Sequence, residues 1–178
     1  MFAYGLKGKY RTRDLILSKI KWIGNENVLD IGTGQGLLMN GAAKYLTTGK
    51  SIEIDIWSSK NLSDNSIAKT LANAELEGVK NQIEIRNEDT RSLTFADNSF
   101  DLILSLLCLH NIEPKADQEK ACFEIASVLK PNYIAIIGDY VPTTTYAKAF
   151  TKAGLKIKNS KTYFTTAYAF MWMVEATK

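Results

Sequence analysis

The feature that most constrains the fold of this chain is a regular alternation of short apolar runs with longer stretches of helical period. Runs of aliphatic and β-branched residues are typical of buried strands, and five of them occur in order: Val28–Ile31, Ser51–Ile56, Gln82–Arg86, Phe100–Leu107 and Tyr133–Asp139. Helical periods lie between most of them, at Leu37–Tyr45, at Ile67–Leu76 and from Pro114 to Pro131. Because parallel strands need long crossovers, and crossovers are right-handed, this order predicts a doubly wound α/β sheet with helices on both faces.

Both ends of the chain extend this pattern. Near the beginning, Thr12 can cap a helix from Arg13 to Ile20. Near the end, a helix over Thr143–Ala153 precedes two strands, Leu155–Lys158 and Tyr168–Ala176, and the connection near Thr162–Thr166 has no room for a helix. These two strands are therefore expected to form an antiparallel hairpin. The resulting prediction is a Rossmann-like, seven-stranded sheet that is mostly parallel, with an antiparallel hairpin at its C-terminal edge.

Length and charge bound the kind of protein. The 178 residues suit one domain, with an N-terminal lid or helix segment at 1–26 and a core at 27–178. The formal net charge of +3 is too small to indicate the clustered basic face that nucleic-acid binders usually show. A nucleic-acid partner is therefore disfavoured, and the sequence carries no signal for an oligomeric state.

The chain has few residues suited to metal binding and no segment suited to a membrane. It contains one histidine, His110, and two cysteines, Cys108 and Cys122, without metal-ligand spacing, so no metal site is expected. The longest apolar run, Ala167–Val174, has eight residues, whereas a membrane-spanning helix needs about 20. No signal peptide follows Met1. We therefore expect a cytoplasmic protein with reduced core thiols.

A glycine-rich turn directly follows the first strand. Gly32-Thr33-Gly34-Gln35-Gly36 occupies the place where doubly wound sheets bind their ligands. Glycines allow a positive φ and let a ligand approach the backbone closely. The dinucleotide fingerprint and the phosphate-binding P-loop are both absent, because the turn continues with Leu37 and Leu38. The acid Asp30 beside the turn favours a cationic ligand over a phosphate.

The segment Val28–Gly36, which joins the first strand to its glycine turn, resembles the first motif of the class I S-adenosylmethionine-dependent methyltransferases. Four further segments resemble later motifs of that family in order: Ile52–Trp57, Asn87–Leu93, Phe95–Asp101 and Val128–Pro131. After the last of these the family usually has two glycines, where this chain has Asn132 and Tyr133. The resemblance covers nearly the whole chain. It implies S-adenosyl-L-methionine as cofactor, S-adenosyl-L-homocysteine as product, and a cofactor-binding core over residues 27–178.

The resemblance also implies roles for individual side chains. Asp30 would lie near the ammonium group of the cofactor, and Asp55 would accept hydrogen bonds from the ribose hydroxyls, with Glu53 as the alternative ribose acid. Trp57 would pack on the adenine or in the core, and Asp89 would bind the adenine amino group. The full set of expected cofactor-binding residues is Asp30, Gly32, Thr33, Gly34, Gly36, Asp55, Ile56, Trp57, Asp89, Thr90 and Leu106.

The end of the fourth strand is where the resemblance places methyl transfer. His110 lies there and is either a general base near neutral pH or a packing residue, and both possibilities stay open. Cys108 is expected to be a core thiol, and Asp101, at the start of the strand, to be structural. The expected acceptor pocket consists of Tyr4, Tyr10, Asn111, Asp139 and Tyr140, with Tyr146, Tyr163 and Phe164 available for a lid.

The acceptor class follows from what the fourth-strand end lacks. Enzymes that methylate amino groups of DNA or RNA bases resemble one another in a (D/N/S)-P-P-(Y/F) motif, and Leu107–Asn111 has no paired prolines. Enzymes that methylate cytosine carbon need a Pro-Cys pair, which the chain lacks. The leading hypothesis is a methyltransferase for a small-molecule acceptor that works mainly by holding its reactants in line. The alternatives are methylation of a protein or RNA with a partner chain, and a non-catalytic domain that binds the cofactor.

Overall fold

The computed structural model describes residues 7–58, 65–164 and 170–178. Its α-helices in these ranges are α1 (Lys9–Leu17), α2 (Leu37–Ala43), α3 (Ile67–Leu76), α4 (Lys115–Val128) and α5 (Thr144–Lys152). Its strands are β1 (Asn27–Ile31), β2 (Lys50–Asp55), β3 (Ile83–Asn87), β4 (Phe100–Leu106), β5 (Leu129–Asp139), β6 (Lys156–Tyr163) and β7 (Met171–Thr177). Tyr4 and the predicted start of the last strand, Tyr168, lie outside the described residues.

The described strands form a seven-stranded sheet in the order β3-β2-β1-β4-β5-β7-β6. Strands β1 to β5 pair in parallel, and β7 runs antiparallel to both β5 and β6. Six strands therefore share one direction, which confirms the predicted mostly parallel sheet and its antiparallel C-terminal hairpin. The chain turns outwards in opposite directions from β1 and β4, so their carboxyl ends lie at the switch point where such sheets bind ligands.

Alternate residues of the central strands face two different apolar layers. Leu29 and Ile31 of β1 lie in the layer that includes Ile125 of α4 and Phe150 of α5. Val28 lies in the opposite layer, which α1 and α2 cover. All five side chains are fully buried. Burial on both faces of the sheet explains why these strands are nearly continuous apolar runs in the sequence.

The helices are short, from 7 residues in α2 to 14 in α4. None of those within the described ranges combines the length and the apolar character that crossing a membrane requires. Helix α3 has the predicted bounds, because Ser66 accepts a hydrogen bond from the Lys69 N–H at its start. Gly78, with a φ of 73°, follows its end as expected.

The N-terminal helix begins earlier than the sequence predicts. Helix α1 starts at Lys9, whereas the predicted helix starts at Arg13 with Thr12 as its cap. The cap assignment is wrong, because Thr12 is a buried helical residue whose hydroxyl donates to the carbonyl of Gly8 at 2.8 Å. A threonine can satisfy its hydroxyl in this way one turn back along a helix, so its presence does not mark a helix start.

Strand β5 also begins earlier than predicted. Helix α4 ends at Val128 and the chain passes directly into β5, so Pro131 lies within the strand instead of following a helix. The pairing of β5 with β4 shifts register between Phe100 and Leu102. The irregularity accommodates Pro131, which has no N–H for a regular ladder.

Asn132 of β5 and Tyr163 of β6 also differ from the expected pattern. Asn132, where the family usually has glycine, adopts a positive φ of 69°, a conformation that asparagine tolerates better than most residues. Its N–H donates to the Lys178 carbonyl at 2.9 Å. Strand β6 extends to Tyr163, so it takes up part of the stretch predicted as a connection.

Candidate functional site

The glycine turn follows β1 at the switch point of the sheet. Gly32, Gly34 and Gly36 have φ values of 69°, 58° and 87°, which residues with a side chain rarely adopt. At Gly32 there is also no space, because an added methyl group would lie 2.1 Å from the sulfur of Cys108. Gly36 closes the turn by donating its N–H to the Thr33 carbonyl at 3.0 Å, and α2 begins at the next residue. The turn therefore exposes backbone at the N-terminal end of a helix.

Helix α3 fixes the far side of this turn. The hydroxyl of Thr70, which is fully buried, donates to the Gly34 carbonyl at 2.8 Å. The side-chain amide of Asn73 donates to the Gln35 carbonyl at 2.9 Å. These two residues went unnoticed in the sequence because their spacing of three positions also fits an ordinary helix face. Their hydrogen bonds hold the carbonyls of Gly34 and Gln35 against α3.

Asp30 lies beneath the turn and is 1% exposed. Its Oδ2 accepts hydrogen bonds from the Thr33 hydroxyl at 2.6 Å and from the Met39 N–H at 3.0 Å. Burial raises the pKa of Asp30 to about 7, although these two hydrogen bonds favour the carboxylate. Asp30 is thus an acid whose charge is poorly compensated within the protein.

Glu53 pairs with Asp30 across the sheet. The two residues are register partners in the parallel pair β1–β2, so their side chains lie on the same face. Glu53 is fully buried, and neither of its carboxyl oxygens has a hydrogen-bond partner among the described residues. Burial, together with the nearby carboxyl of Asp30, raises the pKa of Glu53 to about 9.

Asp55 ends β2 at the rim of the same site. Its carboxylate accepts hydrogen bonds from the Gly34 N–H at 3.1 Å, from the Trp57 N–H at 2.7 Å and from the Asn65 amide at 3.3 Å. Because a carboxylate has about four lone-pair positions, at least one remains for a hydroxyl donor. Ile56, beside it, is 56% exposed, and Trp57 adopts a positive φ of 55°.

Asp89 is held by an arginine that sequence reasoning overlooked. The Arg91 guanidinium contacts both carboxylate oxygens of Asp89, with the shortest distance 2.6 Å, and the Arg91 backbone N–H donates to Oδ1 at 2.9 Å. The hydrogen bonds from this guanidinium hold the pKa of Asp89 below its usual range. Arg91 also contacts Asp117 of α4 at 3.1 Å. Thr90, between them in the chain, is buried. Three donors of Arg91 contact this carboxylate, which is still 37% exposed, so at least one of its about four acceptor positions remains for an adenine amino group.

A histidine and an aspartate meet at the carboxyl ends of β4 and β5. Nδ1 of His110 lies 2.8 Å from Oδ1 of Asp139, and the His110 backbone N–H donates to Oδ2 at 3.2 Å. The Asp139 side chain is fully buried, whereas the His110 side chain is 12% exposed. The ring of His110 also packs against Tyr140, with ring centres 4.3 Å apart. The Nδ1 contact is short but is not aligned as a hydrogen bond, since Nδ1 has no hydrogen-bond partner among the described residues.

Tyr146 completes this cluster from α5. Its hydroxyl donates to Oδ2 of Asp139 at 3.1 Å, and its ring is only 2% exposed. Burial, with the neighbouring Asp139, raises the pKa of Tyr146, so its hydroxyl stays protonated. The prediction that Tyr146 belongs to a lid is therefore wrong. Asp139 likewise faces His110 and Tyr146 instead of an open pocket.

Comparison with known proteins identifies the family of the chain. A family model described as a methyltransferase domain matches residues 29–137, more than half of the chain. The chain belongs to the class I S-adenosylmethionine-dependent methyltransferases. Erythromycin 3''-O-methyltransferase of Saccharopolyspora erythraea is 30% identical over 117 residues, which are 66% of this chain and 35% of that protein. The chain spans less than half the length of three curated relatives that it matches, between 35% and 49%.

Solved structures agree with this fold. A SAM-dependent methyltransferase from Aquifex aeolicus has a TM-score of 0.73 at 18% identity, covering 94% of this chain and 90% of the other. A methyltransferase in complex with the Trm112 activator of Haloferax volcanii has a TM-score of 0.78 at 16% identity. The match covers 95% of this chain and 89% of the other. At these identities the likeness shows the fold alone.

The glycine turn of this chain fits the cofactor that the family implies. Three of the five residues of the turn are glycines, which leave the main chain open at these positions and suit a ligand that lies against it. Asp30, Glu53 and Asp55 place acidic groups at one edge of the cradle, which suits a ligand that carries an ammonium, a sulfonium and ribose hydroxyls. Hydrogen bonds connect the turn directly to Asp30 through Thr33 and to Asp55 through Gly34.

The remaining expected site residues lie on α1 and around the end of β4. Tyr10 is half exposed on α1, where its ring contacts the cationic groups of Lys9 and Arg13. Leu106 is half-buried at the end of β4, and Asn111 is exposed in the turn that follows. The sulfur of Cys108 contacts the glycine turn, and burial raises the pKa of its thiol to about 12.

Asp101, at the opposite end of β4, has the contacts of a structural residue. Its carboxylate accepts a hydrogen bond from the Asn27 N–H at 2.8 Å and pairs with the Lys130 ammonium at 2.9 Å. These contacts join the start of β4 to β1 and β5, far from the glycine turn.

Proposed function

We propose that this chain binds S-adenosyl-L-methionine in the glycine cradle and transfers its methyl group to a small-molecule acceptor. The observation that carries the proposal is the positive-φ turn between Asp30 and Asp55, with the His110–Asp139 pair at the next strand ends of the same rim. The turn accounts for cofactor binding, and the His110–Asp139 pair accounts for the removal of a proton from the acceptor.

Each residue of the cradle would bind a different group of the cofactor. Asp30 would attract its ammonium group, and Asp55 would use its remaining acceptor position for the ribose hydroxyls. Ile56 and Trp57, which follow Asp55, would contact the adenine. Asp89 would use its remaining acceptor position for the adenine amino group, beside the Arg91 guanidinium, and main-chain N–H groups near Thr90 would bind the adenine edge.

The cofactor supplies an activated methyl group on a positively charged sulfur. The chain then has to hold the acceptor in line with that group and keep water out. An acceptor that is protonated near neutral pH also needs a base. His110 would take this proton on Nε2, while Asp139 holds Nδ1 and stabilises the charged imidazolium. Tyr146 and the Tyr140 N–H, which donates to Asp139 at 2.8 Å, fix the aspartate.

A small-molecule acceptor is supported by the sequence at the end of β4 and by a relative whose name states such a substrate, erythromycin. The net charge of +3 gives little attraction for a nucleic acid. We also propose that residues 7–26, which pack α1 against the α2 layer of the core, cover the acceptor side of the site.

Transfer of a labelled methyl group tests this function. The purified chain should label at least one member of a panel of small hydroxyl and amino compounds. Labelling of a protein or RNA fraction, with no small molecule labelled, would contradict the acceptor class.

The base is tested in the same assay. His110→Ala should lower turnover by roughly 10²–10⁴-fold while cofactor affinity stays unchanged. Glu84→Ala is the matched control, because Glu84 is an exposed residue of β3 that contacts Arg86. Equal turnover in the His110 variant and the control would refute the base.

A further inference from the structure

Glu53 is a buried acid that the proposed reaction does not use. It lies on β2 beside Asp30, is fully buried, and has two carboxyl oxygens without partners in the described part of the chain. A buried carboxylate without hydrogen bonds or a counter-ion is costly, so a group in this position takes up a proton. Its neighbours on the same face of β2 are Ser51, which is fully buried, and Asp55, and neither is a cation that could pair with it.

Of the groups that affect the pKa of Glu53, the Thr33 hydroxyl favours the charged form, but this hydroxyl donates its proton to Asp30 at 2.6 Å. Asp30 on β1 and Asp55 at the end of β2 both oppose its ionisation. Its register partner on β3 is Ile85. Helix α2 (Leu37–Ala43) contains no ionisable side chain, and α3 turns its buried Thr70 towards the turn while Lys69 stays exposed.

We propose that Glu53 carries a proton in the free protein and loses it when a positively charged ligand binds beside Asp30, so that ligand binding releases a proton to solvent. The inference rests on the proposed function, which supplies the ligand: a cofactor with an ammonium group. The ammonium charge of the ligand takes the place of the proton beside Asp30. Glu53 is thereby a second acid that makes the site selective for cations.

The ionisation behaviour of the pair agrees with this geometry. The pKa of Glu53 is raised to about 9 and that of Asp30 to about 7, in both cases mainly by burial. At pH 8 Asp30 is therefore mostly ionised, and Glu53 is the group that still has a proton to release. A nearby cation lowers the pKa of an acid. Affinity for the cationic ligand should then rise with pH, by up to about tenfold per pH unit where one full proton is released.

Calorimetry with S-adenosylhomocysteine, which carries the ammonium group and is stable, tests the inference. Titrations at pH 8 in two buffers with different ionisation heats give the number of protons released. The wild-type chain should release a large fraction of one proton, and Glu53→Gln should bind with almost no release. Equal proton release by the two proteins, or none by the wild type, would overturn the inference.

Two controls distinguish a specific role of Glu53 from a general effect of removing an acid and from misfolding of the variant. Glu84→Gln removes an exposed acid of β3 and should leave the proton count of the wild type. If Glu53→Gln does not fold, infrared difference spectra of the wild type should show a protonated carboxyl band that disappears on ligand binding, and its persistence would contradict the proposal. Absence of any binding by the folded wild type would instead contradict the proposed function.

Discussion

Replacing Gly32 by alanine tests the physical basis of the cradle. The φ of Gly32 is 69°, and an added methyl group would lie 2.1 Å from the sulfur and 2.4 Å from Cβ of Cys108. The left-handed backbone costs an L-residue about 1–2 kcal/mol. The overlap with Cys108, which follows directly on the buried strand β4, costs about a further 1–3 kcal/mol. Gly32→Ala should therefore lower the free energy of unfolding by about 2–5 kcal/mol.

Gly154→Ala is the matched control, because it has the cost of a left-handed backbone without any steric overlap. Gly154 has a φ of 89°, and nothing lies within 4 Å of an added methyl group. This variant should lose only about 1–2 kcal/mol. Because both changes reduce the entropy of the unfolded chain equally, that contribution cancels between them.

Urea denaturation of the two variants measures the difference directly. A double variant, Gly32→Ala with Cys108→Gly, removes the overlapping atoms, and a double-mutant cycle should then recover the steric part of the loss. Equal losses in Gly32→Ala and Gly154→Ala, with no coupling to position 108, would refute the argument that close approach dictates glycine at this position.

The remaining predictions concern single contacts. Asp55→Ala should weaken S-adenosylhomocysteine binding by about 1.5–3 kcal/mol in calorimetry, and unchanged affinity would move the ribose role to Glu53. The raised pKa of Glu53, about 9, means that the folded chain holds a proton the unfolded chain loses, so stability should fall as pH rises from 6 to 8. Glu53 should contribute at most about 1.4 kcal/mol per pH unit to that fall, and Asp30, whose pKa is raised to about 7, adds to it in the lower part of the range. In Glu53→Gln the fall between pH 7 and 8 should become shallower, as urea denaturation would show; parallel profiles would argue against the buried acid. Asp139→Asn should lower kcat with little effect on KM, because it acts through His110, and a change confined to KM would exclude that role.

Much of the fold could be predicted because its signals are local. The strands β1 and β4 are buried on both faces, so their apolar runs stand out without any knowledge of their neighbours. The turn of glycines and the cap of α3 are likewise properties of a few adjacent residues. Errors arose where a local signal had two physical solutions, as with Thr12, which bonds within its helix, and Pro131, which a bulge accommodates within β5.

The site was predictable in its parts but not in its pairings. His110 and Asp139 could each be named because each follows a strand, yet their contact depends on β4 and β5 being neighbours in the sheet. The capture of Asp89 by Arg91 is a matter of side-chain conformation, which spacing alone does not determine. The isolation of Glu53 appears only when the groups around it are known, since the same acid at a strand end would be ordinary.

Binding of the cofactor by the 178-residue chain is the measurement that tests the central claim most directly. Calorimetric titration with S-adenosylhomocysteine should give one binding site, and S-adenosylmethionine should compete for it. A folded chain, as judged by circular dichroism, that produces no binding signal with either compound would contradict the account of the glycine cradle.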